Sequence, residues 1–341
     1  MRVGSQKLID RSSPETSINT LGWPWTIDGD PSGYNDAFTW PKISIITPSY
    51  NQGNFIEETI RSVILQNYPD YEYFIVDGGS TDNTIDIIKK YEKSITKWVS
   101  EKDEGQSDAL NKAFSWCTGD LICWINSDDY FYPGAFMKIV DKYLTCNTKE
   151  TSIITGNTIS IDRESNPLAN STKSYFPFNT PADLTLIDHS KWYLPQPSSF
   201  FLRAKIIETG FFVRKDLHYQ MDRDIIYRLL KIGKLVLVDE DIATYRVHEE
   251  SKTTGGKHVF DSTFETIKTF AFYRSGIPGE DRLRRQVMHL RMAPGCLSLA
   301  RSSNQVFQII KYYFMAAYYK PAFLGTKKYW YSIIKSILRR G

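Results

Sequence analysis

Between Pro41 and Tyr130 the hydrophobic pattern switches repeatedly between two periods. Short runs at Ile43–Thr47, Tyr73–Val76, Lys97–Ser100 and Leu121–Ile125 read as strands. The segments between them carry a helical spacing. Ile56, Ile60, Val63 and Ile64 share one face, as do Ala109, Ala113, Phe114 and Cys117. Strands that alternate with helices imply a parallel sheet with right-handed crossovers. The fourth run, Leu121-Ile122-Cys123-Trp124-Ile125, is apolar throughout and predicts a central strand covered on both faces. Pro48 cannot donate a ladder hydrogen bond and is expected to end the first strand. Gly53 lets the chain turn into a helix near Asn54, and Ser80 or Thr81 suits the N-cap of the helix carrying Ile85, Ile88 and Tyr91.

Outside this stretch the pattern is looser. Residues 1–40 have no clear period but contain Gly22-Trp23-Pro24-Trp25, which predicts a partly packed extension. Ile153–Ile161 reads as one or two strands, followed by a loop rich in Ser, Asn and Pro through Pro181. Loops on a rigid scaffold tune binding, so this is the expected variable pocket. Ile225, Leu229 and Ile232 mark a helix, and Leu235–Val238 a strand. From Val259 onward the chain reads as helices. Val306, Ile309, Ile310, Tyr313, Phe314 and Ala317 form one apolar stripe, and Trp330, Ile333, Ile334, Ile337 and Leu338 another. Lys311, Lys320, Lys327, Lys328, Lys335, Arg339 and Arg340 lie among or beside them. That combination fits a helical appendage docked on the main domain, or a basic, aromatic-rich surface lying on an anionic membrane. The expected division is an extension (1–40), a main domain (41–255, with halves 41–142 and 143–255) and a C-terminal helical region (256–341).

Composition narrows the classes. A formal charge of +3 over 341 residues makes no case for nucleic acid as a partner. The four cysteines show no CxxC spacing, which suits free buried thiols in a reducing compartment. The N-terminus lacks an apolar signal region, and no apolar run reaches the roughly 18 residues of a membrane span. A cytoplasmic location is expected, with peripheral contact to the inner face of the cell membrane left open.

In a parallel sheet, ligands bind at the carboxyl ends of the strands. Those ends read Thr47-Pro48-Ser49-Tyr50-Asn51, Asp77-Gly78-Gly79-Ser80 and Asn126-Ser127-Asp128-Asp129. Tyr50 offers a ring to stack on a nucleobase, or packs its own loop. Asp77 can accept from a base N–H or a ribose hydroxyl, and Gly78 and Gly79 permit close backbone approach. The third strand leads through Glu101–Asp108 into a helix containing Asn111; acids there face a ligand or complement the helix dipole. Adjacent Asp128 and Asp129 repel each other, and Mg²⁺ or Mn²⁺ would offset that repulsion; the plainer alternative is an Asx turn in water. Asp222 opens a helix, where an Asp is ordinarily a cap. Asp224 and Arg228 have ion-pair spacing. His248 is structural or a ligand, and Arg246 and Lys252 can neutralise phosphate charge.

The ordered runs Pro48-Ser-Tyr-Asn-Gln-Gly53, Asp77-Gly-Gly-Ser-Thr-Asp82, Ser100-Glu-Lys-Asp-Glu-Gly-Gln-Ser-Asp-Ala-Leu-Asn111 and Asn126-Ser-Asp-Asp129 resemble the nucleotide-binding half of glycosyltransferase family 2. The resemblance is close over about Pro41–Lys142 and looser to about Lys252. It implies the GT-A fold, a Rossmann-like, mainly parallel α/β sheet flanked by helices, here with a C-terminal helical appendage. It also implies inverting transfer of one sugar from a nucleoside diphosphate, UDP favoured, to a saccharide or lipid-linked acceptor. By the same resemblance, Pro48, Tyr50, Asn51, Asp77, Gly79, Asp103, Gln106, Asn111 and Ser127 would meet the nucleotide or donor. Gln196 would meet the acceptor, and Asp222 would be the catalytic base. Asp128, Asp129 and His248 would hold a divalent metal. Two positions depart from the family: many relatives carry an acid where Gly78 stands, and Asp where Asn126 stands. The QxxRW signature of processive polymerases is absent. A nucleotidyltransferase would carry a glycine- and lysine-rich phosphate loop after the first strand, which Gln52-Gly53-Asn54 is not. A non-catalytic sugar-binding protein is the other alternative.

Overall fold

The computed structural model describes residues 22–26, 34–35, 37–169, 195–249, 251–252, 265, 296–297, 300, 306–319 and 324–338. Residues 170–181 of the expected variable loop and the basic residues Lys320, Arg339 and Arg340 lie outside them. The chain forms two compact units, one of residues 1–215 and 222–247, the other of residues 216–221 and 248–341.

The first unit is built on one seven-stranded sheet in the order β3-β2-β1-β4-β6-β5-β7. Its strands are β1 (Ile43–Ser49), β2 (Tyr71–Asp77), β3 (Lys97–Ser100), β4 (Leu121–Trp124), β5 (Thr151–Ile161), β6 (Ser199–Leu202) and β7 (Lys234–Arg246). The helices are α1 (Ile56–Ile64), α2 (Thr84–Lys90), α3 (Gln106–Phe114), α4 (Ala135–Thr145), α5 (Arg203–Glu208) and α6 (Met221–Ile232). The first four strands are parallel, β6 runs against β4 and β5, and β7 is parallel to β5. As expected, β4 is central and wholly buried. Ile43, Ile45, Ile60, Tyr73, Phe136 and Phe200 belong to one continuous core.

Three local expectations change. Pro48 does not end β1; it pairs with Val76, and the strand continues through Ser49 opposite Asp77. The register with β4 stops at Ile46↔Trp124, so at Pro48 the strand has one neighbour and its missing N–H disrupts no second ladder. Neither Ser80 nor Thr81 caps α2. The Ser80 hydroxyl donates to Asp77 and the Thr81 N–H to Asn51 Oδ1, while Asp82 Oδ1 takes the Thr84 N–H at 3.0 Å. Finally, β7 runs well beyond Leu235–Val238. Its polar middle, Asp239-Glu240-Asp241, hides it from a hydrophobic reading, and the ladder to β5 is irregular there.

The Trp-Pro-Trp segment is anchored in this unit. Trp23 Nε1 donates to the Phe131 carbonyl at 2.7 Å. Arg61 on α1 donates to the Pro24 and Trp25 carbonyls at 3.0 and 3.1 Å and lies over the Trp25 ring.

In the second unit, α7 (Val306–Tyr319) and α8 (Lys327–Leu338) pack together. The apolar stripe expected on α7 splits in two. Ile309, Tyr313 and Ala317 are buried against α8, whereas Ile310 and Phe314 are exposed. Tyr313 Oη shares hydrogen bonds with Ser332 and Ser336, and Tyr329 Oη donates to the Tyr313 carbonyl.

Candidate functional site

Because β1–β4 are parallel, the residues that follow each strand collect along one edge of the sheet. Two loops there are latched together. Asn51 N donates to Ser80 Oγ at 2.7 Å, Gln52 N to Thr84 Oγ1 at 2.9 Å and Gly53 N to Asp82 Oδ2 at 2.9 Å. Asn51 Oδ1 accepts from Thr81 N at 2.8 Å, and the Asn51 backbone has a φ of 51°. Burial pushes the Asp82 carboxyl up, but the Thr84 hydroxyl and the Gly53 and Thr84 N–H groups outweigh it and hold it below its ordinary value. The latch presents Tyr50 to solvent, 60% exposed. Ser49 Oγ and Gln52 Oε1 are buried without a hydrogen-bond partner. Sequence reasoning missed both; buried polar atoms left unpaired are uncommon in a folded protein and call for an explanation.

Asp77 is fully buried and its carboxylate is engaged inside the protein. It accepts from Gly79 N at 3.0 Å, Ser80 N at 2.8 Å, Ser100 Oγ at 2.7 Å and the Ser80 hydroxyl. It therefore builds the turn, with Gly79 at φ 85°. The neighbouring Gly78 has a different reason to be glycine. A Cβ there would lie 3.0 Å from Asp103 Oδ2 and 3.2 Å from its Cγ. The Asp103 carboxylate, fixed by Gly105 N at 2.8 Å, thus fills the space a side chain at position 78 would take.

Gln106 Nε2 donates to Asn126 Oδ1 at 2.7 Å, joining the start of α3 to the end of β4. Asn111, expected on the donor, instead pairs with the Val213 backbone: Nδ2 donates to Val213 O at 2.8 Å and Oδ1 accepts from Val213 N at 2.6 Å. Gln196 is buried, its amide donating to the Trp124 carbonyl. Ser127 is also buried.

The acidic pair after β4 divides its duties. Asp129 is buried and turned inward, with Oδ1 accepting from Arg246 N at 2.7 Å and Oδ2 from Asn126 at 3.3 Å. Burial, then the charge of Asp128, pushes its carboxyl well above the ordinary value. Asp128 reaches the surface. Arg246, offered by the sequence as a phosphate ligand, is 1% exposed and points into the protein. Its guanidinium donates to the Asp128 carbonyl at 2.7 Å, Arg163 O at 2.8 Å, Ser165 Oγ at 2.9 Å and Asp162 O at 3.2 Å, and pairs with Glu58 on α1. It clamps the acidic turn from behind.

No group of three or more His, Cys, Asp or Glu suited to a metal occurs among the described residues. The donor set at the edge is the Asp128 carboxylate, with Asp129 held inside. Such a set fits an Mg²⁺ or Mn²⁺ ion whose remaining ligands are substrate phosphates and water, not an all-protein cage. His248 belongs to the second unit, where it is buried and its N–H donates to Ser251 Oγ at 3.2 Å.

The candidate base lies on the helix that precedes β7. β7 runs in the same sense as β1–β4, and α6 ends two residues before it. The first turn of α6 is acidic. Asp222 is on that turn and partly exposed. Asp224 is the structural acid, buried and paired with Arg228 Nε at 3.0 Å, at the spacing the sequence suggested. Within the second unit, Glu265 accepts the N–H groups of His218 (2.8 Å), Tyr219 (2.6 Å) and Gln220 (3.1 Å). It fixes the segment that leads into Asp222, and no sequence signal pointed to it.

Known proteins resemble this chain in sequence and in fold. The profile of glycosyl transferase family 2 matches residues 44–211. An uncharacterized glycosyltransferase of Nostoc sp. strain PCC 7120 is 29% identical over 215 residues, covering 61% of this chain and 65% of that protein. The chain thus spans just under two thirds of that relative. In fold it resembles S. aureus TarS 1–349 in complex with UDP-GlcNAc (TM-score 0.55, 17% identity, 74% of this chain and 72% of that one). It also resembles the mannosyltransferase PcManGT of Pyrobaculum calidifontis in complex with GDP-Man and Mn²⁺ (TM-score 0.52, 16% identity, 93% and 90%). The fold is the GT-A fold of those enzymes, and residues 44–211 form a domain of glycosyl transferase family 2.

Proposed function

We propose that this protein transfers a single sugar from a nucleoside diphosphate to an acceptor hydroxyl, with inversion at the anomeric carbon. The reading rests on Tyr50, Asp103 and Asp128 following β1, β3 and β4 at one edge of the parallel sheet, and on Asp222 in the first turn of α6, the helix that precedes β7. Tyr50 stacks on the base. Asp103, held over Gly78, reads the nucleoside or donor sugar in place of a side chain at position 78. Ser49 Oγ and Gln52 Oε1 gain partners when the donor enters. Asp222 accepts the proton of the acceptor hydroxyl as its oxygen bonds to the anomeric carbon. The bond from that carbon to the diphosphate breaks, and its electron pair leaves with the phosphate. A general base of this kind contributes about 10²–10⁴-fold. Asp128 would hold a divalent cation, which supplies positive charge for the departing diphosphate.

A UDP-sugar is the first donor to try, since the TarS complex holds UDP-GlcNAc, and a GDP-sugar the second, since the PcManGT complex holds GDP-Man. A saccharide, lipid-linked or at the cell surface, is the proposed acceptor. The test is a panel of nucleotide sugars with Mn²⁺, the released nucleotide being measured and the product anomer read by NMR. Asp222→Asn and Asp128→Asn are expected to abolish turnover while the fold is kept. Pyrophosphate release from a nucleoside triphosphate would point to a nucleotidyltransferase. Donor binding without turnover in any combination would point to a binding protein.

A further inference from the structure

Outside the catalytic unit, charge is distributed very unevenly. Residues 282–341 contain twelve Lys or Arg and no Asp or Glu. Residues 1–281 therefore hold thirty basic against thirty-nine acidic residues. The small overall charge hides two oppositely charged parts.

The structure shows which face of the basic part is uncovered. On α7 the buried side chains Ile309, Tyr313, Ala316 and Ala317 are used against α8. The opposite stripe, Ile310, Phe314 and Lys311, is exposed, with Phe314 at 68%. On α8, Trp330, Tyr331 and Ile334 are exposed beside Lys327, Lys328 and Lys335, with Tyr331 at 65%. Among the described residues, a second face of aromatic and aliphatic side chains is thus left outward, and its charged members are the lysines Lys311, Lys327, Lys328 and Lys335. Water is a poor solvent for that face.

We propose that the outer faces of α7 and α8 form a docking surface for an anionic lipid bilayer, lying in the headgroup layer with the lysines at the phosphates. Trp and Tyr prefer that depth, and Lys stems extend to the anionic plane. The helices lie on the membrane and do not cross it. At 14 and 12 residues they fall short of the ~20 residues a span requires, and no helix among the described residues is long and apolar enough. The inference uses none of the transfer chemistry and stands or falls apart from it.

The test is sedimentation of the full chain with vesicles of phosphatidylcholine alone or with about 30% phosphatidylglycerol, at low and high salt. Expected is partitioning onto the anionic vesicles that weakens as salt rises. Lys327→Gln and Lys328→Gln should each weaken it about fivefold, and Phe314→Ser and Trp330→Ser each about tenfold. All four positions are exposed, so an unchanged melting temperature separates loss of docking from loss of fold. Absence of anionic-vesicle binding overturns the proposal, as does binding indifferent to these four substitutions. Capture of an oligonucleotide instead of vesicles, or a dimer dispersed by Phe314→Ser with no vesicle binding, also overturns it.

Discussion

Replacing Arg246 with Met should be among the costliest single changes in the first unit. The substitution keeps most of the aliphatic stem and removes the guanidinium. That group is buried, paired with Glu58 and bonded to the carbonyls of Asp128, Asp162 and Arg163 and to Ser165. Removing one partner leaves a buried carboxylate uncompensated, a loss of about 3–5 kcal/mol. Burial already pushes the Glu58 carboxyl above its ordinary value, with Arg246 and then Ser165 pulling it back. Without Arg246 it rises further. A carboxyl whose folded value lies above its unfolded value binds more protons when folded, so stability falls as pH climbs from the unfolded value through the folded one. The variant should therefore be hurt most near neutrality and partly rescued in mild acid. Adding Glu58→Gln removes the stranded charge and should recover about 1–3 kcal/mol at neutral pH. The assay is urea unfolding followed by tryptophan fluorescence at neutral and mildly acidic pH. A loss below about 1 kcal/mol for Arg246→Met, or a double variant as unstable as the two single losses added together, would refute the reasoning.

Other expectations are more local. Burial raises the Glu72 carboxyl, but bonds from Ser44, Thr118 and Gly119 more than offset it and leave it below its ordinary value. Its contribution is present above the unfolded carboxyl value and is lost as pH falls through the folded one. Glu72→Gln should cost about 1–3 kcal/mol at neutral pH, a deficit that urea titrations should show shrinking in acid. Gly78→Ala should raise the donor KM more than it lowers kcat, because the new methyl displaces Asp103; an unchanged KM would count against Asp103 facing the donor. Glu265→Gln should lower kcat about tenfold with donor binding intact, since three N–H groups just before Asp222 lose their shared carboxylate. Equal kcat values would remove Glu265 from the argument.

The elements of the sheet were legible because their hydrophobic spacing is local. β3 is found at its expected bounds, and β4 is central and buried as its five apolar residues require. What escaped was non-local. The ladder of β7 depends on its partner β5 and not on its own Asp239-Glu240-Asp241. The candidate ligands Asp77, Asn111 and Arg246 make bonds within the protein that were not legible, because a motif names residue types without saying which carbonyl or N–H they meet. Glu265 lies more than forty positions from the N–H groups it holds, a separation no short pattern spans.

The Trp23–Trp25 segment has a practical consequence for anyone trimming the chain to a minimal soluble catalyst. A cut at Pro41, where the recognisable motifs begin, would strip the Pro24 and Trp25 carbonyls from the Arg61 guanidinium and the Trp23 indole from Phe131. That would unroof the back of α1, the helix that follows β1. A shortened version should start upstream of Gly22, and one begun at Pro41 is expected to aggregate on expression.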